Sequence, residues 1–95
     1  MHLILADRAR ADLWSIARYT EREWGATRKK RYMAFLRERL GTLLRHPDLG
    51  PVRDDLGSGY RSLLAGSHMI FYRRAGEGIV VIRVLHQRMD IRRHL

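Results

Sequence analysis

Apolar residues recur along this chain first at helical and then at strand-like spacing. His2 to Leu5 is a short apolar run that predicts a strand, and Asp7 offers an N-cap side chain ahead of the first helical pattern. From Ala9, the positions Leu13, Ile16, Ala17, Thr20 and Trp24 follow at three- and four-residue intervals until Gly25 stops the pattern. That stripe predicts an amphipathic helix with Trp24 in the core. A second stripe, Tyr32, Phe35, Leu36, Leu40, Leu43 and Leu44, runs to His46, where Pro47 disfavours helical geometry in the residue before it. Phe35, Leu36, Leu40 and Leu43 read as core, and the two helices as a hairpin.

Residues 47–59 are rich in turn formers and mark the switch from helix to sheet. Beyond them, Tyr60–Leu64, His68–Arg73 and Ile79–Leu85 are short β-branched or aromatic runs with brief turn-like connections, which favours antiparallel pairing. Continuous apolar runs in the last two suggest strands covered on both faces, one of them by the hairpin. The expected architecture is α+β, in the order β-α-α-β-β-β: an N-terminal strand at a sheet edge, then a helical hairpin packed on a small antiparallel sheet. The segment from His86 to Leu95 follows the last strand and is the least constrained part of the chain.

Composition narrows the function classes. With 95 residues the chain is expected to form one domain, residues 1–95. No apolar run approaches the roughly 20 residues of a membrane span, and the apolar N-terminal run is too short for a signal peptide, so a soluble cytoplasmic protein with no membrane partner is expected. There is no cysteine, and the five histidines are scattered, so neither a disulfide nor a metal or other cofactor is expected. The formal charge is +9, with 17 arginines and two lysines against ten acids. Arginine's planar fork suits carboxylate or phosphate, which points to an acidic protein, nucleic acid, or both.

Particular strings then carry a resemblance. Ala11-Asp12-Leu13, Ile16 to Thr20, Trp24-Gly25, Leu43 through Pro47 to Gly50, and Arg53 are followed by Tyr60-Arg61-Ser62, Gly66-Ser67-His68, Ile70 to Arg73, and Ile82 to Asp90, ending near Arg93-His94-Leu95. In their order and spacing they resemble ParE-type toxins of the RelE/ParE superfamily along nearly the whole chain. The resemblance implies a type II toxin–antitoxin protein that poisons DNA gyrase and blocks replication. It also implies a cognate ParD-like antitoxin whose acidic C-terminal segment wraps the toxin in a hetero-oligomer, a heterotetramer in many such pairs. DNA would be met only through the antitoxin or gyrase. The RelE-like branch uses the same fold as a ribosome-dependent messenger-RNA endonuclease, and fold alone does not separate the two.

A metal-free RNase needs an acid, a base and cations for the developing phosphorane charge. Arg61, Arg73 and Arg83 would supply the cations if their strands bring them together, with His86 as acid or base. Against this, the RNA-cleaving members of the superfamily tend to place lysines, a glutamate or a tyrosine around that surface, whereas the sheet and tail here contain no lysine and Tyr60 and Tyr72 read as strand aromatics, so the resemblance favours a non-enzymatic gyrase inhibitor. His86, Gln87, Arg88, Asp90, Arg92 and Arg93 are the first candidates for target contact, joined by Arg61, Arg73 and Arg83. The bland reading of that tail is that Leu85 and Met89 anchor it while its charges keep it soluble. Trp14, offset from the apolar stripe, is a candidate antitoxin contact with Arg18 and with Arg28, Lys29 and Arg31. Cations at a helix start oppose its dipole, which hints at a use beyond a solvated face. His68 reads as structural, and His46 and His94 as incidental.

Overall fold

The computed structural model describes residues 2–95. β1 (Leu3–Leu5) leads into α1 (Asp7–Trp24) and α2 (Ala26–Arg45); β2 (Tyr60–Ala65), β3 (His68–Ala75) and β4 (Gly78–His86) follow, and a 3₁₀ turn, Ile91–Arg93, closes the chain. The sheet order is β1-β4-β3-β2. β2, β3 and β4 pair antiparallel, but β1 lies parallel to β4, with Leu3 opposite Ile79 and Leu5 opposite Val81. The sheet is therefore mixed rather than wholly antiparallel. A parallel neighbour requires a crossover, and here everything from α1 to β3 intervenes between the two strands.

Asp7 does not cap α1 as expected. Ala6 occupies the cap position without any side-chain hydrogen bond, and its N–H donates to the Val81 carbonyl at 2.9 Å. The sheet thus fixes where α1 begins, while Asp7 sits in the first turn, where a carboxylate suits the helix dipole. Gly25 ends α1 at φ 92° and donates to the Glu21 carbonyl at 2.9 Å, so one residue in the left-handed region reverses the chain into α2.

The helices cover one face of the sheet. Leu36 and Leu43 from α2 and Ala9 and Ile16 from α1 pack on Ile70, Tyr72, Ile79, Val81 and Val84. Burying each large apolar side chain contributes about 1.5–3 kcal/mol. A β-bulge makes this possible: Phe71 faces Arg83 but Tyr72 faces Val81, leaving Ile82 as an extra residue. The bulge shifts the alternation, so that Val81 and Val84, three apart, both point into the main core. On the opposite face, Phe71 and Leu85 pack with Ile91 from the terminal turn and with Leu56 and Met69.

Two expected core residues lie outside it. Trp24 is 60% exposed and Phe35 39% exposed. Both continue an apolar stripe, but spacing defines only a helix face: Trp24 stands at the hairpin turn, and Phe35, beside Tyr32 and the Gly66 turn, is only partly covered. The 47–59 segment is tied down instead by Tyr72, whose Oη accepts from the Gly50 N–H at 2.9 Å and donates to the Pro47 carbonyl at 2.8 Å. Gly50 is buried here, and a Cβ on it would run into the Ser62 carbonyl.

Candidate partner groove and C-terminal surface

Pairing between β1 and β4 ends at Leu5 and Val81, so the rest of β4's outer edge lacks a neighbouring strand. α1 crosses this region, and between them lies a groove of about 630 Å³. Ile16, Tyr19, Thr20 and Trp24 of α1, Tyr32 of α2, and Val84, Leu85, His86 and Met89 line it, with Ser67 and His68 from the β2–β3 turn region. Thr20 turns its hydroxyl back to the Ile16 carbonyl at 2.7 Å, which satisfies its donor within the helix. Tyr19 and Trp24, both more than half exposed, stand along the rim. The Arg22 and Arg28 guanidinium groups lie 5.7 and 4.8 Å from their respective ring centroids, so the groove joins apolar area to positive charge.

At its inner end, Tyr32 Oη is 2.6 Å from His68 Nδ1 and accepts the Ser67 N–H at 3.2 Å. The His86 ring stands edge-on to His68, with centroids 5.6 Å apart. Burial first, and the neighbouring His86 second, push the His68 pKa below the ordinary imidazole value of 6.5. His68 is therefore a half-buried, hydrogen-bonded residue of the groove floor.

At the groove's other end, Asp12 closes the open strand edge. Its Oδ2 accepts from the Val84 N–H at 2.9 Å and from Arg83 Nε at 2.8 Å, and its Oδ1 accepts from Arg83 Nη2 at 2.8 Å. Each of the two side chains is only 13% exposed. The remaining terminal nitrogen of Arg83 donates to the His94 carbonyl, linking α1, β4 and the terminal turn. This pairing holds Arg83 more firmly protonated than a free guanidinium.

A smaller, polar pocket of about 290 Å³ lies over the other face of the sheet, between Arg53, Phe71, His86 and the turn residues Asp90 to Arg92. Its arginines already hold carboxylates: Arg53 grips Asp55 through two 2.9 Å bonds, and Arg92 pairs with Asp90 at 3.3 Å. The Arg53 fork holds the Asp55 carboxyl below the usual carboxylate range. For Asp90 the main cause of the same downward shift is the Arg92 backbone N–H it accepts.

The three strand arginines do not converge as expected. Arg61 is opposite Tyr72 and shares the helix-covered face, whereas Arg73 and Arg83 point to the other side. Arg61 donates to the Asp48 and Gly50 carbonyls at 3.2 and 2.8 Å, holding the loop; Arg83 is committed to Asp12 and His94; among the described residues Arg73 bonds only to the Arg74 carbonyl, at 3.4 Å. His86 lines both pockets and accepts from the Arg88 N–H at 3.2 Å. Gln87, Arg88, Asp90, Arg92 and Arg93 form an exposed run after β4.

Of the helix candidates, Arg28 reaches the groove. Trp14 is 63% exposed outside it, with the Arg18 guanidinium 4.7 Å from its ring. Lys29 ties the hairpin together by pairing with Glu21 at 3.4 Å, while Arg31 is exposed and has no ion pair among the described residues. Sequence reasoning missed Asp12, Tyr19, Tyr32 and Met89. For Asp12 a signal existed: it falls four before Ile16 and three after Ala9, an acid within the buried stripe.

A model of the ParE toxin of the type II toxin–antitoxin system parDE matches residues 3–91. The chain belongs to the ParE toxin family. Toxin ParE1 from Caulobacter vibrioides is 41% identical over 91 residues, 96% of this chain and 94% of that toxin. Toxin ParE1 from Mycobacterium tuberculosis is 41% identical over 93 residues, 97% and 95% of the two chains. Among solved structures, the chromosomal ParDE system from P. aeruginosa is similar in fold, with a TM-score of 0.79 at 22% identity, covering 90% of this chain and 95% of that one. As a ParE toxin, this protein is the toxic half of a type II pair and has an antitoxin partner. No helix among the described residues is long and apolar enough to cross a membrane.

Proposed function

We propose that this ParE toxin acts on DNA gyrase as a non-enzymatic inhibitor, using the exposed segment after β4. A ParD-like antitoxin neutralises it by laying an acidic C-terminal segment into the groove beside α1, within a cytoplasmic hetero-oligomer in which residues 1–95 form one domain. DNA enters only through the antitoxin or gyrase.

The observation that carries the reading is the disposition of the arginines. An RNase site needs several cations and a proton-transfer pair focused on one phosphate. Here Arg61 and Arg83 are bound within the fold, Arg53 and Arg92 hold carboxylates, and His86 has no assembled set of partners. Arg88 and Arg93 remain exposed without an ion pair among the described residues, on the segment offered to a target. The groove, for its part, supplies exposed aromatics edged by arginine, which suits a segment with alternating apolar and acidic residues that folds as it binds.

The test is to give antitoxin-free toxin to gyrase supercoiling and DNA-cleavage assays, with ribosomal messenger-RNA cleavage run in parallel on the same preparation. Lost supercoiling or trapped broken DNA, with messenger RNA intact, supports the proposal. Cleaved messenger RNA with gyrase unaffected overturns it and makes His86 and its neighbouring arginines the catalytic suspects.

A further inference from the structure

Asp12 and Arg83 raise a physical question that the proposed function does not answer. Two nearly buried charges are a poor source of stability, because desolvation offsets much of their attraction. What such a pair supplies well is geometry. The Arg83 fork engages both carboxylate oxygens of Asp12, which leaves one terminal nitrogen aimed at the His94 carbonyl. Asp12 is itself fixed against β4 by the Val84 N–H.

The terminal turn has few other anchors. Ile91, 4% exposed, packs with Phe71 and Leu85, and Asp90 accepts the Arg92 N–H at 3.0 Å to cap the turn. One apolar anchor fixes the position of a short turn but leaves it free to pivot. A second fixed point, at His94, sets its orientation and so the direction in which Arg92 and Arg93 project. Arg8 also reaches the His94 carbonyl, but at 3.4 Å and from an exposed position.

We propose that Asp12 and Arg83 are a positioning pair that orients the C-terminal turn, and through it the arginines that meet the target. The orientation of the turn stands on the geometry alone; its importance for toxicity rests on the reading that this segment contacts gyrase. Neither residue touches the target. Lysine at position 83 would keep the charge but replaces the three-nitrogen planar fork, which holds both Asp12 oxygens and the His94 carbonyl in fixed directions, with a single nitrogen on a flexible stem, so Arg83→Lys separates the positioning role from the charge.

The experiment compares the intact toxin with Arg83→Lys, Asp12→Asn and the control Arg8→Ala. Amide hydrogen exchange is followed at Arg93, His94 and Leu95, whose N–H groups bond to the Asp90 and Ile91 carbonyls. In Arg83→Lys and Asp12→Asn these three amides are expected to exchange at least tenfold faster. Core amides of β3 and β4 other than Val84, whose N–H bonds directly to Asp12, stay within twofold of the parent, as does the whole of Arg8→Ala. Half-inhibition of gyrase should then need at least tenfold more of either clamp variant. Unchanged exchange in the turn overturns the proposal, as does faster exchange spread evenly over the protein, which would mark the pair as merely structural. Should Asp12→Asn fail to fold, Arg83→Lys decides alone. A loosened turn with undiminished inhibition refutes the role in toxicity. A loosened turn in a protein whose parent never inhibits gyrase sustains the positioning pair and sinks the gyrase reading instead.

Discussion

Replacing Trp24 by Ala separates binding from folding more sharply than any other single change in the groove. Trp24 is 60% exposed in the free toxin, so its removal takes little from the core. A tryptophan side chain presents up to about 250 Å², and the exposed share is therefore about 150 Å² available for burial by a partner. At about 25 cal/mol per Å², that area corresponds to about 3–4 kcal/mol, and to a loss of affinity of two orders of magnitude or more. The Arg28 guanidinium 4.8 Å from the ring also loses its platform, which adds to the effect at the same spot. Titration calorimetry with the cognate antitoxin measures the affinity, and urea denaturation of the free toxin measures stability. The expected result is an affinity at least 100-fold weaker with free stability changed by under about 1 kcal/mol, the range of a surface substitution. Unchanged affinity would remove this end of the groove from the antitoxin site. A stability loss matching the affinity loss would show that Trp24 holds the hairpin together and that the exposed ring is not a docking surface.

Other predictions follow from the same structure. Tyr72→Phe leaves the buried Gly50 N–H without its acceptor and should destabilise the toxin by about 1–3 kcal/mol, read as a lower urea midpoint at constant slope; an unchanged midpoint would mean that the 47–50 loop is not held by this hydroxyl. His68 has a depressed pKa when folded, so the unfolded chain binds more protons as pH falls below 6.5. Stability is accordingly full above that value and declines below it until the folded-state pKa is passed. His68→Gln should flatten that decline, and a decline of the same steepness would assign it to other groups. Raising salt should slow antitoxin association much more than it speeds dissociation, given the charge of +9; equal on-rates at low and high salt would refute steering. Reversing Arg92 and Arg93 to Glu should weaken toxicity with the fold intact, as judged by circular dichroism, and full toxicity at matched expression would exclude the turn from the target site.

The elements themselves were legible because their signals are local. Gly25 and Pro47 bracket α2, the turn-rich 47–59 stretch separates helix from sheet, and each strand lies within two residues of its expected bounds. What depends on pairing was not legible. The parallel placement of β1 rests on contacts between Leu3–Leu5 and Ile79–Val81, which no pattern within either segment encodes. The faces of Arg61, Arg73 and Arg83 depend on register, where one residue reverses a side chain, and on a bulge at Ile82 that the continuous run Val80-Val81-Ile82 does not advertise. Trp24 was misplaced because periodicity tells which way a residue points, and not whether anything stands opposite. Asp12 went unread for a related reason: its partner Arg83 lies 71 residues away.

The groove draws its walls from α1 near one end of the chain and from β4 and Met89 near the other. During synthesis the helical hairpin emerges first, but β4 and the terminal turn come last, and Asp12 waits for Arg83 and Val84 before its carboxylate has partners. Contacts of such long sequence separation form late. Both walls of the groove therefore exist only once β4 has folded back on α1, which makes the groove a late product of folding.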